Sequence, residues 1–231
     1  MRIAVISCWK YRDAWRSFLD LMCKFWPDRP YNAVLITDEY EDNREFIEGL
    51  DTPPVFLTRG KSWCQGLAEF CSQTSEPFLL MQEDFLLNAP VRQELVERGL
   101  KILERDNVGA VRLYPCPGST ESISSENPYY GRVARHTRYR TSCQATIWKP
   151  EYLHAIASRF NTPAEFEIDG SAWASQHLPA EVWAFKREVK PWPMEYLCSA
   201  IGRGLWSQDA KKLCDLHGIE VDWSMRGFQD A

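Results

Sequence analysis

The feature that most limits what this chain can fold into is a series of short, uniformly apolar runs set between segments of helical period. Residues 2–7, 33–36, 55–57, 78–87 and 108–114 are each of strand length and carry almost no polar alternation. Strands buried on both faces read this way, whereas strands with one wet face alternate. Between the first two runs, Trp15, Phe18, Leu19, Met22 and Phe25 or Trp26 recur at helical spacing until Pro27 stops them. Ser62 is placed to cap a helix with Trp63, Leu67, Phe70 and Cys71 inward. Asn88 and Pro90 open another, with Val91, Leu95, Ile102 and Leu103 inward. Residues 39–52 are acidic and read as helix or loop. Strand and helix in alternation predict an α/β fold, a mostly parallel sheet flanked by helices.

The second half is less regular. Residues 115–131 are rich in Pro, Gly, Ser, Asn and Tyr and read as a long loop, a feature that compact domains usually keep for function. A strand near 142–148 precedes a helix over 150–160, and Pro163 opens another. Residues 182–189 and 196–201 look extended, and 208–217 reads helical with Gly218 as its stop. At 231 residues the chain is expected to form a single domain, 1–231.

Composition narrows the function. Lys plus Arg is 27 against 32 for Asp plus Glu, a net charge of −5, which speaks against a general nucleic-acid coat. Eight Cys at irregular spacing contain no Cys-x-x-Cys, so neither a zinc site nor a disulfide framework is expected. Buried free thiols in a reducing, cytoplasmic setting fit better. No 18-residue apolar stretch exists, and the N-terminal run is too short for a signal segment. No Gly-x-Gly-x-x-Gly follows the first strand, which disfavours a nicotinamide dehydrogenase.

The strongest chemical signal is Gln82-Glu83-Asp84, where the run Phe78-Leu79-Leu80-Met81 meets two acids before apolar residues resume at Phe85. A lone carboxylate inside a central strand is costly. In an open parallel sheet, ligands bind beyond the carboxyl ends of the strands. Acids there can hold a hard divalent cation, Mn2+ or Mg2+, and through it a diphosphate. Strand alternation would put Gln82 and Asp84 on one face and Glu83 on the other, unless the strand bends. The plainer reading is a strand that ends in a solvated acidic turn.

With these residues in place, the chain resembles glycosyltransferases of the GT-A fold, and in particular small bacterial and phage members. The likeness is carried by the first strand, a second strand ending in Asp38, Pro77-Phe-Leu-Leu-Met-Gln-Glu-Asp-Phe85, Gln144-Ala-Thr-Ile-Trp-Lys149, Glu165-Phe-Glu-Ile-Asp-Gly-Ser171 and Ala200-Ile-Gly-Arg-Gly-Leu-Trp206. It implies that 1–114 is a nucleotide-sugar half and 115–231 an acceptor half. Gln82 departs from a strict Asp-x-Asp. By the family's logic Asp84 contacts the metal and Glu83 supports it or meets the ribose, and His217 is a further metal ligand. Ser7 and Trp9 lie in the loop that meets the base, with Trp9 either stacked on it or packed under the helix. The resemblance also implies that Glu167, with Asp169 as second choice, is the acceptor-side base, and that Arg203 and Trp206 belong to the donor site.

Other residues carry two readings each. Arg59 and Lys61, with Ser62, precede a helix N-terminus and could meet phosphate or ribose, or be ordinary surface charge. Glu165, Glu167 and Asp169 could equally complement a helix dipole. Arg132, Arg135, His136, Arg138 and Arg140, interleaved with Tyr129, Tyr130 and Tyr139, could grip a phosphate-bearing acceptor or form a solvated face. The leading expectation is sugar transfer from a nucleotide-sugar donor to a hydroxyl on a glycan or on a hydroxymethylated base in phage DNA. The alternatives are a noncatalytic nucleic-acid-binding module and a metal-dependent hydrolase or nuclease.

Overall fold

The computed structural model describes residues 1–40, 53–121 and 127–229. The acidic stretch expected over 39–52 therefore lies outside the described residues from 41 onward, as does 122–126 of the long loop.

The chain opens with β1 (Arg2–Ile6), α1 (Asp13–Phe25), β2 (Ala33–Thr37), β3 (Val55–Leu57), α2 (Trp63–Ser72) and β4 (Phe78–Gln82). These four strands are mutually parallel neighbours in the order β3-β2-β1-β4. After β5 (Leu86–Leu87) and α3 (Gln93–Leu103) come β6 (Val108–Arg112), β7 (Tyr130–Arg132) and β8 (Thr146–Trp148). Next are α4 (Pro150–Ala157), α5 (Pro163–His177) and β9 (Glu181–Phe185). The eight-stranded sheet continues β4-β8-β6-β9-β7. β8 is antiparallel to both neighbours, β6 and β9 are parallel, and β7 is an antiparallel edge. The fold is thus α/β with a mostly parallel sheet, as the apolar runs predict. The chain ends with β10 (Tyr196–Leu197), β11 (Ile201–Gly202), β12 (Leu205–Trp206) and α6 (Gln208–His217).

Period-two alternation explains why the strands look uniformly apolar. Ile3, Val5, Leu35, Leu79 and Met81 point to the face covered by α1 and α3. Ala4, Ile6, Val34, Ile36, Phe78 and Leu80 point to the face covered by α2, α4 and α5. Each large apolar side chain contributes about 1.5–3 kcal/mol on burial, so both helical layers are held by the sheet.

Local chemistry sets the ends. Ser62 accepts from Gln65 N while the Gln65 side chain accepts from Ser62 N, a capping box at α2. Thr162 and Glu165 form the same box at α5, with Pro163 in its first turn. Gly218 stops α6 in a left-handed conformation, φ 66°. α3 starts later than Pro90 suggests, because Val91 N is bonded to Phe25 O and Arg92 N to Pro193 O.

The run 78–87 is two strands rather than one. A turn over Glu83 and Asp84 separates β4 from β5, with Phe85 N bonded to Gln82 O at 3.2 Å. β5 then pairs with β10 in a separate antiparallel ribbon. The extended stretch 196–201 likewise divides between β10 and β11, and the strand near 142–148 shortens to β8. Among the described residues no helix is long and apolar enough to cross a membrane.

Candidate active site

The carboxyl ends of β1, β2, β3, β4 and β6 share one edge of the sheet, and the amino end of antiparallel β8 reaches the same edge. Polar groups gather there. Ser7, Cys8, Asp38, Thr58, Lys61, Ser62 and Trp63 line a cavity of about 220 Å³ beyond β1 and β2. Asp38 Oδ1 accepts a hydrogen bond from Trp9 N at 2.8 Å and so fixes the loop after β1. In the sequence Asp38 is only the end of a strand; its capture of a backbone N–H 29 residues away leaves no local signal.

The Glu83–Asp84 turn sits at the end of β4, beside that cavity. Both side chains are buried, at 6% and 7% exposure. Burial pushes the Glu83 carboxyl well above the usual carboxylate range, and the adjacent Asp84 adds to it. Burial also raises Asp84, against the opposing hydrogen bond from Ser199. Ser199 Oγ donates to Asp84 Oδ2, and Ala200 N donates to the Asp84 carbonyl at 2.9 Å. Asp84 Oδ1 is buried with no hydrogen-bond partner. The turn lets the two carboxylates leave the strand, and Glu83 faces the cluster of Val5, Trp15, Phe18, Leu19 and Leu35.

The residues here fit a divalent cation. Two carboxyl groups are buried together, and one of their oxygens is orphaned. Among the described residues no group of three His, Cys, Asp or Glu assembles into a metal-binding cluster. A cation at this edge would therefore take few protein ligands, the arrangement Mg2+ adopts when substrate phosphates and water complete its shell.

Glu167, on the second turn of α5, comes to the same edge from the far side of β4. Its Oε1 accepts from Cys143 N at 2.8 Å and from Ser142 Oγ at 3.1 Å, just before β8. Gln144, next to the Cys143 that Glu167 holds, donates to Cys198 Sγ, and the following Ser199 holds Asp84, so a short run of contacts joins the two carboxylates. Asp169 is exposed. Glu165 belongs to the cap: Asn161 N and Thr162 N donate to it and hold its carboxyl below the usual range.

Other expected site residues fall elsewhere. Trp206 is fully buried, with Nε1 donating to Asp13 Oδ2 at 3.0 Å, and packs edge-on to Trp223. Arg203 lies exposed in the two-residue turn joining β11 and β12, where it and Gly204 both have positive φ, 54° and 81°. His217 stands apart from Asp84. Its ring packs edge-on against Phe25 at the end of α1 remote from the acids. Arg59 is exposed, and Lys61 pairs with Glu69 at 3.5 Å. Trp9 is half-buried, edge-on to Trp15, with the Arg12 guanidinium 4.6 Å from its ring centre. Ser7 Oγ accepts from Trp15 Nε1 at 2.7 Å.

The arginine cluster is mostly internal wiring. Arg135 donates to Ser175 O and Leu178 O at the end of α5. Arg140 donates to Val133 O and Ala180 O. Arg132 pairs with Glu181 at 3.2 Å and lies over Trp183. Arg138 is exposed beside Tyr139, and His136 is exposed. Arg112, in no expected site, is buried and spent on the carbonyls of Pro117, Tyr139 and Arg140, and burial lowers its pKa to about 10. All eight cysteines are free, four of them buried, while Cys116 and Cys198 are exposed.

No protein-family model matches the chain, and no curated protein matches it in sequence. Solved structures do share its outline. A mannosyltransferase from Pyrobaculum calidifontis, in complex with GDP-Man and Mn2+, is similar with a TM-score of 0.47 and 14% identity, over 78% of this chain and 53% of that one. The chain thus spans about half of that protein's length. TarS from S. aureus gives 0.49 and 14%, over 82% and 36%. The 2-C-methyl-D-erythritol 4-phosphate cytidylyltransferase from Thermus thermophilus gives 0.49 and 18%, over 95% and 100%. These likenesses are of outline, and residue roles rest on this chain's own geometry.

Proposed function

We propose that the protein is a glycosyltransferase that moves a sugar from a nucleotide-sugar donor to a hydroxyl acceptor. The observation that carries the reading is the Glu83–Asp84 turn: two buried carboxyl groups with an orphaned oxygen, at the sheet edge where α/β folds bind ligands, beside a cavity lined by Ser7, Asp38, Thr58 and Lys61 together with Ile6, Ile36 and Trp63. Such burial is costly without a ligand to offset it, and a cation-bound diphosphate offsets it.

In this reading the nucleoside lies in the cavity of Ser7, Asp38 and Lys61, with Trp9 at its rim. Asp84, supported by Glu83, would hold the divalent cation, which when bound neutralises charge on the departing diphosphate. Glu167 acts on the acceptor side. Cys143 N and Ser142 Oγ fix its Oε1, and its other carboxylate oxygen, which makes no hydrogen bond among the described residues, takes the acceptor's proton. The acceptor oxygen then bonds to the anomeric carbon, and the bond from that carbon to the diphosphate breaks and releases the nucleoside diphosphate. The donor is served mainly by 1–114 and the acceptor mainly by 115–231. A glycan acceptor suits the residues better than DNA, because Arg132, Arg135 and Arg140 are already committed to Glu181 and to backbone carbonyls, and of that cluster's arginines only Arg138, exposed beside Tyr139, makes no such contact among the described residues.

The test is nucleoside diphosphate release from a panel of nucleotide sugars with Mn2+. Asp84→Asn is expected to abolish the metal-dependent release. Glu167→Gln is expected to slow transfer by about 10²–10⁴-fold while leaving donor binding intact. Release that ignores Asp84→Asn would remove Asp84 from the metal.

A further inference from the structure

A run of stacked aromatic rings leads away from the acidic turn. Phe85, the residue after Asp84, stacks on Tyr196 at 4.8 Å between ring centres. Tyr196 stacks on Tyr114 at 4.2 Å, and Tyr114 meets Trp192 edge-on at 5.2 Å. The first two members are buried, while Tyr114 and Trp192 are partly exposed. The ladder is rigidly mounted. Tyr196 OH donates to Gln144 Oε1 at 2.8 Å and accepts from Ala145 N at 3.0 Å. Trp192 Nε1 donates to Arg187 O at 3.2 Å. Gln144 also donates to Cys198 Sγ at 3.2 Å, next to the Ser199 that holds Asp84.

Sheet order gives the ladder its meaning. The cavity of Ser7, Asp38 and Lys61 lies beyond β3, β2 and β1; the acids lie at the end of β4; Gln144 and Tyr114 lie beyond β8 and β6. The acidic turn therefore stands between the cavity and the ladder along the sheet edge; the ladder packs on the face of α1 and α3, and Glu167 comes to that edge from α5 on the other face. Rigid aromatic surface with a few fixed polar groups is how small polar ligands are oriented. The Tyr114 hydroxyl has no hydrogen-bond partner among the described residues. Lys190 Nζ stands 3.2 Å from the Trp192 ring centre and so covers one face of the indole, with Arg187, Glu188 and Glu195 nearby in sequence. A groove for single-stranded nucleic acid joins aromatic platforms to a positive track, whereas here Lys186 is buried on Asn127 O, and Glu188 and Glu195 interrupt Arg187 and Lys190.

From this we infer that Tyr114 and Trp192 form the acceptor platform, and that the acceptor is a carbohydrate presenting a pyranose ring. The inference rests on the glycosyl-transfer reading of the Asp84 edge and adds the acceptor's chemical class and place.

The experiment is binding of the full chain to an array of glucose-, galactose-, mannose- and N-acetylglucosamine-terminated oligosaccharides, with single-stranded and duplex DNA alongside. Thermal shift by nucleotide sugars is measured on the same samples. At least one pyranoside is expected to bind, with affinity falling at least about tenfold in Trp192→Leu and severalfold in Tyr114→Phe. Arg138→Ala is expected to leave it unchanged, and donor thermal shifts are expected to persist in every variant. Trp192→Phe, which keeps a ring, guards against mere misfolding and should retain most of the binding. The inference is overturned if no pyranoside binds while nucleotide sugars still stabilise the protein. Glycan binding indifferent to Trp192→Leu, or tight DNA binding that survives it, would overturn it as well. Loss of the donor shift in the unmodified chain would instead defeat the underlying reading.

Discussion

Glu83 and Asp84 show at the residue scale why this edge is unstable by itself. Two adjacent carboxyl groups, 6% and 7% exposed, resist losing their protons, so both sit above their ordinary range. A carboxyl whose folded pKa exceeds its unfolded one favours the fold below the unfolded value. That contribution is lost as pH rises through the raised folded value. Glu83→Gln is therefore expected to stabilise the protein by about 0.5–2 kcal/mol at pH 7, with the gain vanishing near pH 4. Thermal unfolding of both forms across that range checks it, and a gain that is flat with pH would contradict it. The acids themselves are legible in the sequence, because adjacent carboxylates in an apolar run have few bland uses. The arginines are not. Arg135 and Arg140 are spent on carbonyls about 40 residues away, and a guanidinium bonded to backbone leaves no trace in side-chain pattern. Trp206 misleads for a related reason: its indole N–H is satisfied by Asp13, 193 residues earlier.

At the scale of elements, the first half follows its pattern closely. β1, α1, β2, β3 and α2 lie within a residue or two of where apolar period, Pro27 and Ser62 put them. The break between β4 and β5 is visible in the sequence only as a condition, that three polar residues in a row cannot share a ligand unless the strand bends. The short strands of the second half are harder, since β7 and β8 span three residues each and are defined by partners rather than by period. The acids of α5 divide by local geometry. Glu165 closes a capping box, whereas Glu167 reaches across to the start of β8. Thr162→Ala is accordingly expected to cost about 1 kcal/mol, a fall in Tm of roughly 2–4 °C, with donor binding unchanged. A loss of donor binding as large as the loss of stability would contradict a purely capping role.

The whole molecule is closed by its C-terminal segment. The Arg226 guanidinium binds both oxygens of Asp13, donates to Lys10 O at 2.7 Å and lies over Tyr11, which fastens the chain end to the loop after β1. Asp13 has a side-chain exposure of 0% and Arg226 of 6%, so neither charge can be left alone cheaply. Asp13→Ala or Arg226→Ala is expected to cost about 3–5 kcal/mol, and the double replacement clearly less than their sum. Denaturant unfolding of the three variants tests this, and simple additivity would contradict it. No sequence pattern announces a pair 213 residues apart, which is why the clasp emerges only in three dimensions. The central claim is that the Asp84 edge binds a nucleotide sugar through a divalent cation. Its most direct measurement is the melting temperature with nucleotide sugars, with and without Mn2+. A matching donor at about a hundred times its Kd is expected to raise Tm by roughly 5–10 °C with Mn2+, and the metal-dependent part should vanish in Asp84→Asn. A panel of donors that leaves Tm unmoved with the metal present would contradict the claim.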